Sequence, residues 1–170
     1  MTATSLSPAF IEADEALDFL HLALQDHHNR YSIADAMEQI GFIFRGADNV
    51  VRYKIVTDLT ELNYAGVVPF LIDVLENDPI PLIRHEAAFG IGALGRTRHA
   101  RPLARAILSD ESAMVRHEVA VALAEIGGLS ELPALETAAN NGDQAVALSA
   151  KFAIQSILLY AQQGRRAVNE

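Results

Sequence analysis

The sequence predicts an all-α fold: a solenoid of about four stacked helical hairpins with an extra N-terminal capping helix, within a single domain over residues 1–170. Two observations lead there. The chain is 51% hydrophobic but only 6% aromatic, so its apolar content is mostly Ala, Leu, Ile and Val, which suits closely approaching helices better than a strand-built core. Four segments also repeat, beginning at positions 51, 83, 115 and 146, in steps of 32, 32 and 31. Within each, apolar residues fall at offsets 0, 4, 8 and 11, as in Ile83, Ala87, Ile91, Leu94 and in Val115, Val119, Leu123, Ile126. That spacing is one stripe along an α-helix.

The elements follow in order. Pro8 to Gln25 is amphipathic (Phe10, Ile11, Leu17, Leu20, Leu24) and has no repeat partner, so residues 8–27 are assigned to a cap over the exposed end of the core. The hairpins are assigned to 32–62, 66–95, 99–127 and 131–160. Pro69, Pro102 and Pro133 sit near the starts of the first helices, where the missing N–H costs nothing. Asn77-Asp78-Pro79, Ser109-Asp110 and Asn140 to Asp143 form the turns and offer N-cap oxygens to the second helices, which Gly95, Gly127 and Gly128 end. The last repeat carries Lys151 where the others hold small apolar residues, marking its helix as the C-terminal cap, with fraying expected after Gly164.

Composition narrows the function. Without cysteine, disulfides, thiolate metal sites and cysteine nucleophiles are excluded. A net charge of −9 repels polyanions, and no Lys/Arg cluster is expected to offset it, so nucleic acid is not an expected partner. The N-terminus lacks a signal-peptide pattern and no 18-residue apolar stretch is expected, so the chain is read as cytoplasmic, with no membrane partner. Phosphate loops and Ser-His-Asp sets are absent.

Ile83 to Gly95 and Val115 to Gly127 follow a Val-Arg-x-x-Ala-Ala-x-Ala-Leu-Gly pattern. This resembles HEAT-like repeats of the phycobilisome-lyase type, over residues 32 to about 158. The resemblance implies a fold more than an activity, because such repeats build lyases, adaptors and hydroxylases.

The two x positions face away from the core stripe, and in repeats two and three both hold a His-Glu pair: His85-Glu86 and His117-Glu118. Stacked helices lie about 8–10 Å apart, so the two imidazoles could share one ion. Residues i and i+1 are about 100° apart around a helix, so each Glu points aside from its own His. Two imidazoles with carboxylates and no sulfur suit iron(II), manganese or zinc. The segments 82–89 and 114–120 also resemble the paired His-Glu motifs of deoxyhypusine hydroxylase, a HEAT-repeat diiron monooxygenase in which two halves of a longer chain face each other across two irons. The resemblance implies that His85, His117 and Glu118 hold one non-haem iron while Glu86 reaches an iron held by a second copy. A homodimer would then build the dinuclear centre, and a protein or small-molecule substrate would lie in the concave groove. Beyond these ligands no catalytic residue is assigned, and repeats one and four depart from the motif with Tyr53-Lys54 and Leu148-Ser149.

Plainer readings stand beside these. The pairs could be solvated surface inherited by duplication, although Phe89/Val121, Gly92/Ala124 and Ala93/Glu125, read as exposed, have diverged. The chain would then be a protein-binding scaffold or an assembly or lyase-type accessory. Arg52, Arg84 and Arg116 form a column read as a ladder to the turn carboxylates rather than an anion site. His27 and His28 are read as polar loop, His99 as the start of a first helix, and Phe42, Phe44, Phe70, Phe89 and Phe152 as core.

Overall fold

The computed structural model describes residues 8–25, 32–140 and 143–164. His27, His28 and the expected fraying beyond Gly164 lie outside them. The described residues form nine α-helices and three single 3₁₀ turns, with no strand among them: α1 (Pro8–Gln25), α2 (Ile33–Gly46), α3 (Asn49–Glu61), α4 (Val68–Asn77), α5 (Pro81–Leu94), α6 (Ala100–Ser109), α7 (Ala113–Ile126), α8 (Leu132–Ala139) and α9 (Gln144–Gln162). The fold is an all-α solenoid. Two compact units divide at Asn63/Tyr64.

In the first unit α1 packs on α2 and α3, burying Ala13, Ala16, Leu17 and Leu20. Ser32 Oγ accepts from Asp35 N–H to start α2, and Asp48 Oδ1 accepts from Val50 and Val51 N–H to start α3. Lys54 Nζ, 2.8 Å from Asp14 of α1 and also paired with Asp58, ties the cap helix to α3. Burial pulls the Lys54 ammonium down, but the two carboxylates outweigh it and leave it above its ordinary value. Lys54 occupies the repeat position that Glu86 and Glu118 hold later.

The second unit stacks three hairpins, α4/α5, α6/α7 and α8/α9, with α5, α7 and α9 side by side. Their stripes (Ile83, Ala87, Ile91; Val115, Val119, Leu123; Val146, Ala150, Ile157) are buried. The ladder forms. The buried Arg84 donates from Nε and Nη2 to the two carboxylate oxygens of Asp110 at 2.8 and 2.9 Å, and from Nη1 to the Asp78 carbonyl at 2.9 Å. Arg116 Nη1 donates to the carbonyl of Asp110 at 2.7 Å. Hydrogen bonding to Asp110 holds the Arg84 guanidinium above its already high value, against the pull of burial.

Several expectations are corrected. Asp78 and Asp110 are not N-caps: Ile80 and Ser112 are, and the aspartates sit two residues earlier, accepting from those residues' N–H groups at 2.8 Å. In this Asx geometry Oδ1 of Asp110 accepts from both Ser112 N–H and Arg84, while Oδ2 accepts from Arg84. Gly92 and Ala124 are buried rather than exposed. Phe42, Phe89 and Phe152 are exposed rather than core, and Phe44 and Phe70 are half-buried. Finally, α9 is long and apolar enough, by length and composition, to cross a membrane. Val146, Ala150, Ala153 and Ile157 of this helix are buried where it packs on α7 and α8, while Leu148, Phe152, Leu158, Leu159 and Tyr160 are exposed. On its remaining flank Lys151 and Gln155 are exposed where the earlier repeats bury Ala88/Ala120 and Gly92/Ala124, which suits a helix that ends a stack.

Candidate functional site

The groove between α5 and α7 is narrow because Gly92 has no side chain. A Cβ there would lie 2.9 Å from the Cα of Ala122, so only glycine allows this approach. Side chains on the flanks of the two helices therefore meet. His85 Nε2 lies 3.4 Å from Glu118 Oε2, and His85 Nδ1 lies 3.3 Å from Oε1 of its own neighbour Glu86. The Glu118 side chain is 12% exposed.

In the next groove, His117 Nδ1 lies 2.8 Å from Ser149 Oγ of α9. Both imidazoles thus lean the same way, each towards the following helix and the position one step beyond its own equivalent. His117 and Glu118, about 100° apart on α7, serve different grooves, whereas Glu86 lies beside His85, against the expectation that each Glu points aside from its own His. His85, Glu86 and Glu118 are brought together, while the described contact of His117 is to Ser149. Among the described residues, no three His, Asp or Glu side chains converge as closely as one ion requires. Ser149, noted from sequence only as a departure from the motif, is a site residue that repeat register misses, because register sets Leu148 rather than Ser149 level with His117.

His85 Nδ1 is buried and has no hydrogen-bond partner among the described residues, because the approach of Glu86 at 3.3 Å lacks hydrogen-bond geometry. An unmet buried polar atom costs about 1–3 kcal/mol, and such atoms concentrate where a ligand, ion or water belongs. The donor set around it, imidazole and carboxylate, matches non-haem iron, manganese or zinc. Two ligands about 2.0–2.2 Å from one ion stand roughly 3.0–3.5 Å apart, as His85 Nε2 and Glu118 Oε2 do at 3.4 Å. The chemistry and spacing of His85 Nε2 and Glu118 Oε2 are thus compatible with two ligands of one metal ion.

The profile of the family described as HEAT repeats matches residues 68–155, just over half of the chain. The chain belongs to the HEAT-repeat family. The matched HEAT hairpins run from α4 into α9 and carry both His-Glu pairs. Among curated proteins, deoxyhypusine hydroxylase from Arabidopsis thaliana is 30% identical over 91 residues, covering 53% of this chain and 29% of that protein. The chain thus spans less than a third of the relative that it matches.

One feature of the HEAT hairpins went unread in the sequence. The expectation that no basic cluster interrupts the acidic surface fails at the 3₁₀ turn Thr97–His99 and along α6, where Arg96, Arg98, Arg101 and Arg105 are all exposed. Net charge, averaged over the chain, hid them. His99 stands among them, with Nδ1 accepting from Arg96 N–H at 3.0 Å. Burial, reinforced by the charges of Arg98 and Arg96, pushes its pKa below the ordinary value of 6.5.

Proposed function

We propose that this HEAT-repeat protein binds non-haem iron through His85, Glu86, His117 and Glu118, that a second copy completes a dinuclear centre, and that the assembly is an oxygen-dependent hydroxylase. The observation that carries the reading is the His85 ring, whose buried Nδ1 has no hydrogen bond and faces the Glu86 carboxylate while its Nε2 faces that of Glu118. The partial likeness to deoxyhypusine hydroxylase supports the same chemistry. When bound, non-haem iron supplies activation of dioxygen at its open coordination positions.

The chain's own residues would divide the work. His85 and Glu118 present nitrogen and oxygen donors across one groove, and Glu86 stands beside the second nitrogen of the same ring. Ser149 engages Nδ1 of His117, which orients that ring and leaves Nε2 as its donor. With too few ligands in one chain, a facing copy is the simplest source of the others. The exposed Leu82, Phe89, Met114, Val121, Leu148 and Phe152 flank these residues and would hold the apolar part of a protein or small-molecule substrate.

The test is anaerobic titration with iron(II), followed by thermal melting and sedimentation. Binding should raise the melting temperature and shift the chain from monomer to dimer. A melting curve and sedimentation coefficient indifferent to iron(II), manganese(II) and zinc(II) would refute the reading. A second reading, a non-catalytic scaffold or assembly accessory, is favoured by the lack of three converging donors among the described residues. The same flanking apolar side chains would then hold a partner polypeptide, and the His-Glu pairs would be its polar contacts.

A further inference from the structure

We infer that the exposed arginine edge formed by Arg96, Arg98 and Arg101 is a docking surface for an acidic polypeptide segment, separate from the His-Glu grooves. Four of the chain's 13 basic residues fall between positions 96 and 105 of a protein whose net charge is −9. The neighbouring repeats serve as internal controls. The positions equivalent to Arg96, Arg98, Arg101 and Arg105 hold Tyr64, Gly66, Pro69 and Asp73 in the repeat before, and Gly128, Ser130, Pro133 and Thr137 in the repeat after. The HEAT hairpin therefore does not require arginine at any of them.

Their placement is also unfavourable within the chain. Arg101 and Arg105 recur at i and i+4 on α6, and Arg98 stands in the 3₁₀ turn that leads into it, so like charges follow one another closely, where such neighbours repel. Arg105 is relieved by Glu76 of α4, to which its Nη2 donates. Arg96, Arg98 and Arg101 have no ion-pair partner among the described residues. The lowered pKa of His99, which after burial stems from Arg98 and Arg96, reports the same uncompensated positive field.

The geometry favours a polypeptide over a nucleic acid. From Arg98 to Arg105 the ribbon is only about 10 Å long, and a long polyanion running past it would cross the acidic remainder of the surface. Exposed Leu108 continues the ribbon along α6 and exposed Leu129 lies in the next 3₁₀ turn, so apolar contacts flank the charges. The carboxylate already bound to Arg105 shows the kind of group that the other three would take.

The probe is a short fluorescein-labelled oligoglutamate peptide, with binding read by fluorescence anisotropy at low ionic strength. Wild type should bind it, and the Arg96→Ala/Arg98→Ala/Arg101→Ala variant should bind about ten-fold more weakly, from three exposed charge contacts. Arg45→Ala, which removes an exposed arginine elsewhere, should bind like wild type, and added salt should erase the difference. The replaced side chains are exposed, so the triple variant should melt at or above the wild-type temperature; Gln replacements give a second test if it does not. Equal loss in the Arg45→Ala control would overturn the inference, as would tighter binding of duplex DNA or anionic vesicles through the same three arginines. So would salt-sensitive self-association that the triple variant abolishes without any peptide binding.

Discussion

Asp110→Ala is expected to be the most damaging single change among the polar residues of the second unit. Asp110 takes both charge-assisted bonds from Arg84, at 2.8 and 2.9 Å, while Oδ1 also accepts from Ser112 N–H at 2.8 Å. Arg84 is 7% exposed, so removing the carboxylate leaves a buried guanidinium with only the exposed Glu111, 3.7 Å away, as a close counter-charge, and breaking such a buried pair costs about 3–5 kcal/mol. Domains are stable by about 5–15 kcal/mol, and in a chain of this length each kcal/mol moves the melting temperature by about 2–4 °C. Chemical denaturation should thus show a loss of about 3–5 kcal/mol, and calorimetry a fall of roughly 6–20 °C. Asp110→Asn keeps an acceptor for Ser112 and should lie between the variant and wild type. Arg84→Met/Asp110→Ala removes the stranded charge and should recover part of the loss. A decrease below about 1 kcal/mol, the ceiling for an exposed pair, would show that the ladder is ornamental and that the hairpins are held by their apolar stripes alone.

Three further outcomes follow from the same geometry. Gly92→Val should cost about 1–3 kcal/mol in denaturant melts through overpacking against Ala122, and by widening the groove should also weaken any metal binding. His85→Phe removes the unbonded Nδ1, so it should leave stability unchanged or raise it by about 1 kcal/mol; a large loss would mean that the ring makes bonds other than those described. His99 is held neutral in the folded chain, with its pKa depressed by burial and then by Arg98 and Arg96. The folded state therefore binds fewer protons than the unfolded state, and its contribution is present above the unfolded value of 6.5 and lost as pH falls below it. Stability followed from pH 7.5 to about pH 5 should decline less in His99→Gln than in wild type, and parallel profiles would contradict this.

The architecture was readable because it is written in repetition. Ile83/Val115, Ala87/Val119 and Ile91/Leu123 recur at fixed spacing and all are buried, so periodicity alone placed the core. What sequence could not supply was the lateral register between neighbouring helices. Equivalent histidines sit one above the other in an alignment, yet in space His85 meets Glu118 and His117 meets Ser149. Burial at the close helix contact was misread for a related reason: Gly92 and Ala124 look like surface until the approach of Ala122 to Gly92 is seen. Phe89 and Phe152 show the reverse, fitting a helical stripe in sequence while lying exposed beside the His-Glu pairs. The arginines at 96, 98, 101 and 105 stand in plain view, but charge summed over the chain conceals their concentration in one repeat.

The central claim is that the α5/α7 groove holds a metal. Its most direct test is the iron content of protein purified from iron-supplemented medium, by elemental analysis of wild type beside His85→Phe and Glu118→Ala variants that keep the wild-type helical circular dichroism spectrum. Wild type should carry iron in near-stoichiometric amount, and both variants should lose it. Wild-type iron no higher than in the variants, with zinc and manganese equally absent, would contradict it.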